Sequence, residues 1–182
     1  KPKTLLLPEK YRYAEYAASY LEKRGIAWEL ISFCISTGRL YESYPYHNAV
    51  FVGFDKQGKA RFACQRGITN ARFHGDVSGS DKHYSFALPV NPKSSTVHLF
   101  ESAIDLLSYA TLCQLEGGDW RQLNLLSLAG VYRPKEKIEE SKLPAALTQY
   151  LEDYPQIKTV TLHLDNDGPG RLAAKAIETV LP

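Results

Sequence analysis

The sequence predicts two unlike halves. The first is an α+β N-terminal region of helices and a small antiparallel sheet, and the second is an α/β domain whose parallel sheet is flanked by helices. Three observations carry this. Apolar residues recur at helical spacing up to about residue 38 and then at period two between about 48 and 66. Beyond residue 96, apolar strand-like runs alternate with amphipathic helix-like runs, the pattern of a parallel sheet covered on both faces. With 182 residues, 44% of them hydrophobic and 23% charged, the chain can bury a sizeable core. The boundary falls between 1–95 and 96–182.

Residues 9–24, EKYRYAEYAASYLEKR, predict a first helix that puts Tyr13, Tyr16, Ala17, Tyr20 and Leu21 at helical spacing, with Gly25 as its stop. Residues 28–37 predict a second helix closed by Gly38, so 9–38 reads as a helical pair. Its tyrosines are expected in the core and in subdomain contacts rather than as a platform for stacking bases. AVFVGFDKQGKARFACQRG predicts a hairpin, with strands at 49–54 and 60–66 around the turn Asp55-Lys56-Gln57-Gly58. The Gly/Ser-rich stretch GDVSGSDKHYSFAL then predicts a loop leading into another short strand. In the basic, β-rich region 48–90, Lys56, Lys59, Arg61, Arg66, Arg72 and Lys82 are interleaved with Phe62, Phe73 and Tyr84. Cations and rings on a short sheet suit single-stranded nucleic acid, which needs phosphate neutralisation and stacking.

In the second half TVHLFE, NLLSLAG and TVTLHLD read as three strands. The helices are SAIDLLSYATLCQLEG, LPAALTQYLEDYP with Pro at its start and after its end, and a last one from about Gly170. The charged stretch 132–142 reads as an exposed loop. Residues 1–96 carry 14 Lys and Arg against 8 Asp and Glu, and residues 97–182 carry 8 against 12, within a net charge of +2. A basic half joined to an acidic one suits a protein that holds a polyanion on one side and cations on the other. Cys34, Cys64 and Cys113 show no C-x-x-C spacing and are expected as buried thiols in a reducing compartment. There is no run of about eighteen apolar residues to span a membrane and no secretory start, so a cytoplasmic protein is expected. The chain opens at Lys1 and has no Met, which reads as a piece of a longer protein.

The acids fall where such a sheet binds ligands, outside the carboxyl ends of its strands. Glu101 closes the first strand, Asp105 lies one turn into the next helix, and Asp165 and Asp167 close the third strand. Converging carboxylates raise one another's pKa unless a cation neutralises them, and hard oxygen ligands suit Mg²⁺ or Mn²⁺. Each motif alone is compatible with a helix start or a turn; together, at strand ends, they predict a metal site. The Asp-x-Asp of haloacid-dehalogenase-like phosphatases is a poor match, because here the pair comes late in the chain and is followed by Gly168 and Pro169.

The set FESAID, SLAG (ending at Gly130) and LDNDGPGR resembles the Toprim domain of DnaG-type primases, type IA and II topoisomerases and some nucleases. That family has E-G-x-x-D after the first strand, a small-residue turn after the second and D-x-D-x-x-G after the third; Ser102 stands here at the usual glycine. YLEKRGIAWELISFCISTGRLY, the hairpin ending at Arg66, and GSDKHYSF with Lys82 are similar to the upstream part of the primase core. The style of the motifs is similar to Toprim-like proteins of bacterial mobile and conjugative elements.

The resemblance implies metal-dependent nucleotidyl transfer on single-stranded DNA, in replication or transfer of a mobile element. Alternatives are a non-catalytic DNA-binding Toprim module and a Toprim nuclease. Asp165 and Asp167, with Asp105 nearby, would hold Mg²⁺ or Mn²⁺ against nucleotide phosphates, and Glu101 would complete the site or serve as general base. Arg66 and Lys82 would hold template or triphosphate, with Lys59, Arg61, Arg72 and Arg171 as further contacts. The implied partners are single-stranded DNA, nucleotides, and a helicase or relaxase in the longer protein. A further strand and acidic loop are expected after the last helix, so the domain is expected to be truncated at its C-terminus.

Overall fold

The computed structural model describes residues 3–69, 73–129 and 134–182. Two short helices, α1 (Glu15–Lys23) and α2 (Trp28–Ser36), precede an antiparallel sheet of β1 (Leu40–Glu42), β2 (Ala49–Phe54), β3 (Ala60–Arg66) and β4 (His74–Asp76) in chain order. Helix α1 begins later than its periodicity predicts. The backbone before it is engaged elsewhere: the Tyr11 N–H donates to Glu42 O, and the Tyr44 N–H to Glu9 O. Strands β1 and β4 have three residues each, too few for a period of two to register. The strand expected near residue 86 is instead a 3₁₀ turn at Lys82–Tyr84 and a single bridge, Ala87 to Leu126.

The second half alternates as expected. Strands β5 (Thr96–Phe100), β6 (Asn124–Ser127) and β7 (Thr159–His163) form a parallel sheet, with α3 (Ala103–Leu115), α4 (Ala145–Asp153) and α5 (Gly168–Val180) between and after them. The sheet order is β6-β5-β7. Alternate residues of β5 face opposite layers: Val97 and Leu99 join Leu126, Leu147 and Ile177 in a core with α4 and α5. Phe100 faces the other way, into a core with α3 that also takes in Leu21, Leu30, Phe51 and Phe86 from the first half. The two halves therefore share one apolar core. Each fully buried Leu there contributes about 1.5–3 kcal/mol, and Leu107→Ala would cost about 2–5 kcal/mol.

A smaller cluster of Val50, Val52, Ala63 and Val77 lies on the far face of the four-stranded sheet, packed by Leu5. All three cysteines are free thiols; Cys34 is buried, whereas Cys64 and Cys113 are only half-buried, short of the full burial expected. Burial pushes the Cys34 and Cys64 thiols up to about 12, which makes them inert.

Candidate active-site cleft

The strand order decides where a site can form. From central β5 the chain passes to β6 on one side and then crosses to β7 on the other, so the crevice at the carboxyl ends of β5 and β7 is a topological switch point. Phe100 pairs with His163 in the parallel register. Glu101 and the Asp165–Asp167 loop consequently leave the sheet side by side.

Glu101 is 8% exposed and accepts a 3.2 Å hydrogen bond from the Asp165 N–H. Burial, and then the negative charges of Asp165 and Asp167, raise its pKa above the usual carboxylate range. Asp167 caps α5, its Oδ1 accepting from the Gly170 N–H at 2.6 Å. A Cβ on Gly170 would stand 1.9 Å from Asp165 O and 2.8 Å from Asp167 Oδ1. Only glycine lets this loop close. Arg171 braces the same loop, donating to the backbone and side-chain oxygens of Asn166 at 3.1 Å. Across from it, Ser102 caps α3 by accepting the Asp105 N–H at 3.2 Å. That contact is absent with the family's usual glycine, and it explains how a serine serves here.

These loops form one wall of a cleft of about 400 Å³. Glu101, Asp105 and Asp165 face Arg66, His74 and Asp76 from the ends of β3 and β4, and Arg24 joins them from the end of α1. Arg66 pairs with His74 across the ladder, and its guanidinium has no ion-pair partner among the described residues. Asp167 lies beside the cleft, acting on Glu101 through its charge. Lys82 sits at the rim, exposed and 3.5 Å from Asp76.

Lys59 and Arg61 lie elsewhere, at the turn end of the hairpin. Arg61 is bound to Asp55 at 3.2 Å and Asp81 at 3.5 Å and covers the Tyr84 ring at 4.6 Å. Arg72 and the turn residue Gly130 lie outside the described residues. Sequence reasoning missed Arg24, His74 and Gln65 as cleft residues. Arg24 had a readable signal, since it is the last residue before the helix-stopping Gly25; His74 and Gln65 carried none.

Among the described residues, no three His, Cys, Asp or Glu side chains stand close enough together to enclose a metal ion. The chemistry of the donors nonetheless fits a hard divalent cation. The set is all oxygen, no Lys or Arg neutralises Glu101, Asp165 or Asp167 among the described residues, and the negative charges of Asp165 and Asp167 add to burial in raising the pKa of Glu101.

Known proteins share the fold that carries this cleft. Residues 98–182 match the family described as Toprim-like, and residues 19–92 match one described as a protein of unknown function, DUF3991. The chain is similar to the primase fragment of the bacteriophage T7 primase-helicase protein, at 20% identity and a TM-score of 0.62, over 100% of this chain and 69% of that one. It is also similar to the DnaG primase catalytic domain bound to ssDNA (19%, TM-score 0.56, 91% of this chain and 59% of that one). The E. coli primase catalytic core gives 18%, a TM-score of 0.58, and 94% and 62% coverage. The chain thus spans about 60–70% of the length of these structures. No curated protein sequence matches it. Residues 98–182 thus resemble a Toprim-like domain in both motif and fold. The whole chain carries the fold of primase catalytic cores.

Proposed function

We propose that this chain is the core of a primase-like enzyme that performs divalent-metal-dependent nucleotidyl transfer on single-stranded DNA. The observation that carries the reading is the single cleft in which Glu101 and Asp165, with Asp167 alongside, oppose the unpaired Arg66. Bound Mg²⁺ or Mn²⁺ would orient and neutralise phosphate oxygens during an in-line displacement. Asp165 and Asp167 would hold it, with Asp105 at the adjoining helix start. Glu101, its proton affinity raised, would complete that set or accept the proton of an attacking hydroxyl. Arg66 and Arg24 would bind template or triphosphate from the opposite wall, with Lys82 at the rim.

No described helix is long and apolar enough to cross a membrane. The setting we propose from the sequence resemblance is the bacterial cytoplasm, in replication or transfer of a mobile element. A helicase or relaxase is the proposed partner in a longer protein; the T7 fragment that this chain is similar to belongs to a primase-helicase.

The test is a Mn²⁺ and Mg²⁺ titration with and without NTP, beside Asp165→Ala and Asp167→Ala, followed by an assay for short oligonucleotide synthesis on a single-stranded template. Saturable binding that NTP tightens and both substitutions abolish, with product formed, supports the reading. Cleavage of DNA without NTP would make the domain a nuclease. DNA binding with neither reaction would make it a non-catalytic module.

A further inference from the structure

Of the three tyrosines at helical spacing, Tyr20 packs against the core as expected, but Tyr13 and Tyr16 do not. Tyr13 and Tyr16 are 53% and 62% exposed, and Tyr44 and Tyr46 are exposed as well. Tyr13, Tyr16 and Tyr44 are also gathered around Tyr11 and His47. Tyr11 lies 5.9 Å from Tyr13 and stacks on Tyr44 at 6.0 Å, and the His47 ring joins Tyr11 at 4.7 Å and Tyr16 at 5.6 Å. Rings this exposed and this close form an aromatic patch that the fold leaves largely open to solvent.

The patch is held rigidly. His47 adopts a left-handed backbone with φ of 56°, a cost for a non-glycine residue. Its ring is bonded to the fully buried Glu42. The same carboxylate accepts the Ala17 N–H at 2.8 Å, which ties the 44–47 loop to α1. Backbone bonds from His47 to Ser43 and from Ser43 to Asn48 close the loop on itself.

Two routes lead from the patch to the acidic cleft. Along α1, Tyr16, Tyr20 and Arg24 follow one another at single-turn spacing on one face. Arg24 donates to Tyr20 Oη at 3.3 Å and lines the cleft. That stripe rises about 12 Å, room for about three or four nucleotides stacked at roughly 3.4 Å each. Beyond the loop, the Asn48 side chain donates to Gln65 at 3.4 Å, and Gln65 lines the cleft too.

We propose that Tyr13, Tyr16, Tyr44 and Tyr46 form a stacking platform for single-stranded nucleic acid, which runs along α1 past Arg24 into the cleft. The inference rests on reading that cleft as a nucleotidyl-transfer site. A bare aromatic groove also suits a proline-rich peptide. Here, however, cations alternate with the rings: Arg12 lies 5.1 Å over Tyr13, and Arg24 5.5 Å over Tyr20. The surface also ends beside Arg66 and a set of carboxylates. Alternating planar faces and cations match a chain of alternating bases and phosphates.

The test is the anisotropy of a fluorescein-labelled dT15 strand titrated with the whole chain in Mg²⁺. Replacing Tyr13, Tyr16 and Tyr46 together by Ala weakens binding about ten-fold or more, whereas Phe at the same positions, which keeps the ring faces, stays within about two-fold of the wild type. These side chains are exposed, and thermal melting checks the fold; were the triple variant to unfold, Tyr16→Ala against Tyr16→Phe supplies the same contrast. If the alanine variant binds like wild type while Arg66→Ala weakens binding, the platform is overturned and the reading of the cleft stands. If the wild type binds no strand, both fall. Tyrosine-dependent binding of a proline-rich peptide, with no tyrosine dependence for dT15, would also overturn it.

Discussion

The two ends of the β2–β3 hairpin carry the same residue types and use them differently. At the turn, Lys56 donates to Asp153 O at 2.9 Å and lies 5.5 Å over Tyr154, which ties the hairpin to α4. Arg61 there is held between Asp55 and Asp81. Although burial works against it, the N–H groups of Lys59 and Gln57 and the Arg61 guanidinium hold Asp55's carboxyl below its usual range. Five residues along β3, about 16 Å away at strand rise, Arg66 opens onto a cleft rimmed by Glu101 and Asp165 and has no such partner among the described residues. Charges satisfied within the fold stabilise it. On the proposed reading, a cation left facing uncompensated carboxylates would receive a ligand that brings both a metal and phosphates.

The comparison can be broken most directly at the acids. Asp165→Ala is expected to abolish Mn²⁺ binding in a calorimetric titration while leaving the melting temperature unchanged. Asp167→Ala should do the same and also cost about 1 kcal/mol in urea unfolding, because it removes the cap of α5. Next in size, Arg66→Ala should weaken single-stranded DNA binding about ten-fold, with a lower salt slope and unaltered unfolding, as expected for a phosphate contact. Arg61→Ala sharpens the contrast by doing the reverse: a loss of about 1 kcal/mol in stability, from its ion pairs and its contact with Tyr84, and unchanged DNA binding.

The smallest effect concerns pH. His98 on β5 and His163 on β7 meet at 2.8 Å, and burial lowers both pKa values, with the charge of His163 adding to the effect on His98. A group whose folded pKa is depressed gives stability that is present above its unfolded value, about 6.5 for His, and is lost as pH falls through the folded one. Stability should therefore drop modestly below about pH 6.5. In His98→Phe, urea midpoints at pH 7.5 and 5.5 should lie closer together than in the wild type.

The acidic half of the site was legible because the strand–acid–helix order is local. Glu101 and Asp165 end apolar runs, and the carboxyl ends of neighbouring parallel strands lie at one edge by construction. The basic half was legible only as a composition. Arg61 and Arg66 sit on one strand with Lys59 just before it, and nothing in their types separates a cation that braces Asp55 from one that faces the cleft. The reading of Tyr13 and Tyr16 failed for a related reason. Helical spacing identifies residues that share a face but does not say that the face is covered, and residues 9–11 were drawn out of the helix by pairing with β1 and with Tyr44.

By itself the sequence determined the two-part architecture, the hairpin, the alternation of strands and helices and the acids at the strand ends, because each follows from short-range periodicity and from residues with strong backbone preferences. Only the tertiary structure decided that α1, β3 and β4 close over those acids to make one cleft, which arginine is left unpaired, and that a ring of tyrosines stays in water. Those outcomes depend on which distant surfaces bury one another, and burial across a shared core is a property of pairs of segments that no single segment encodes.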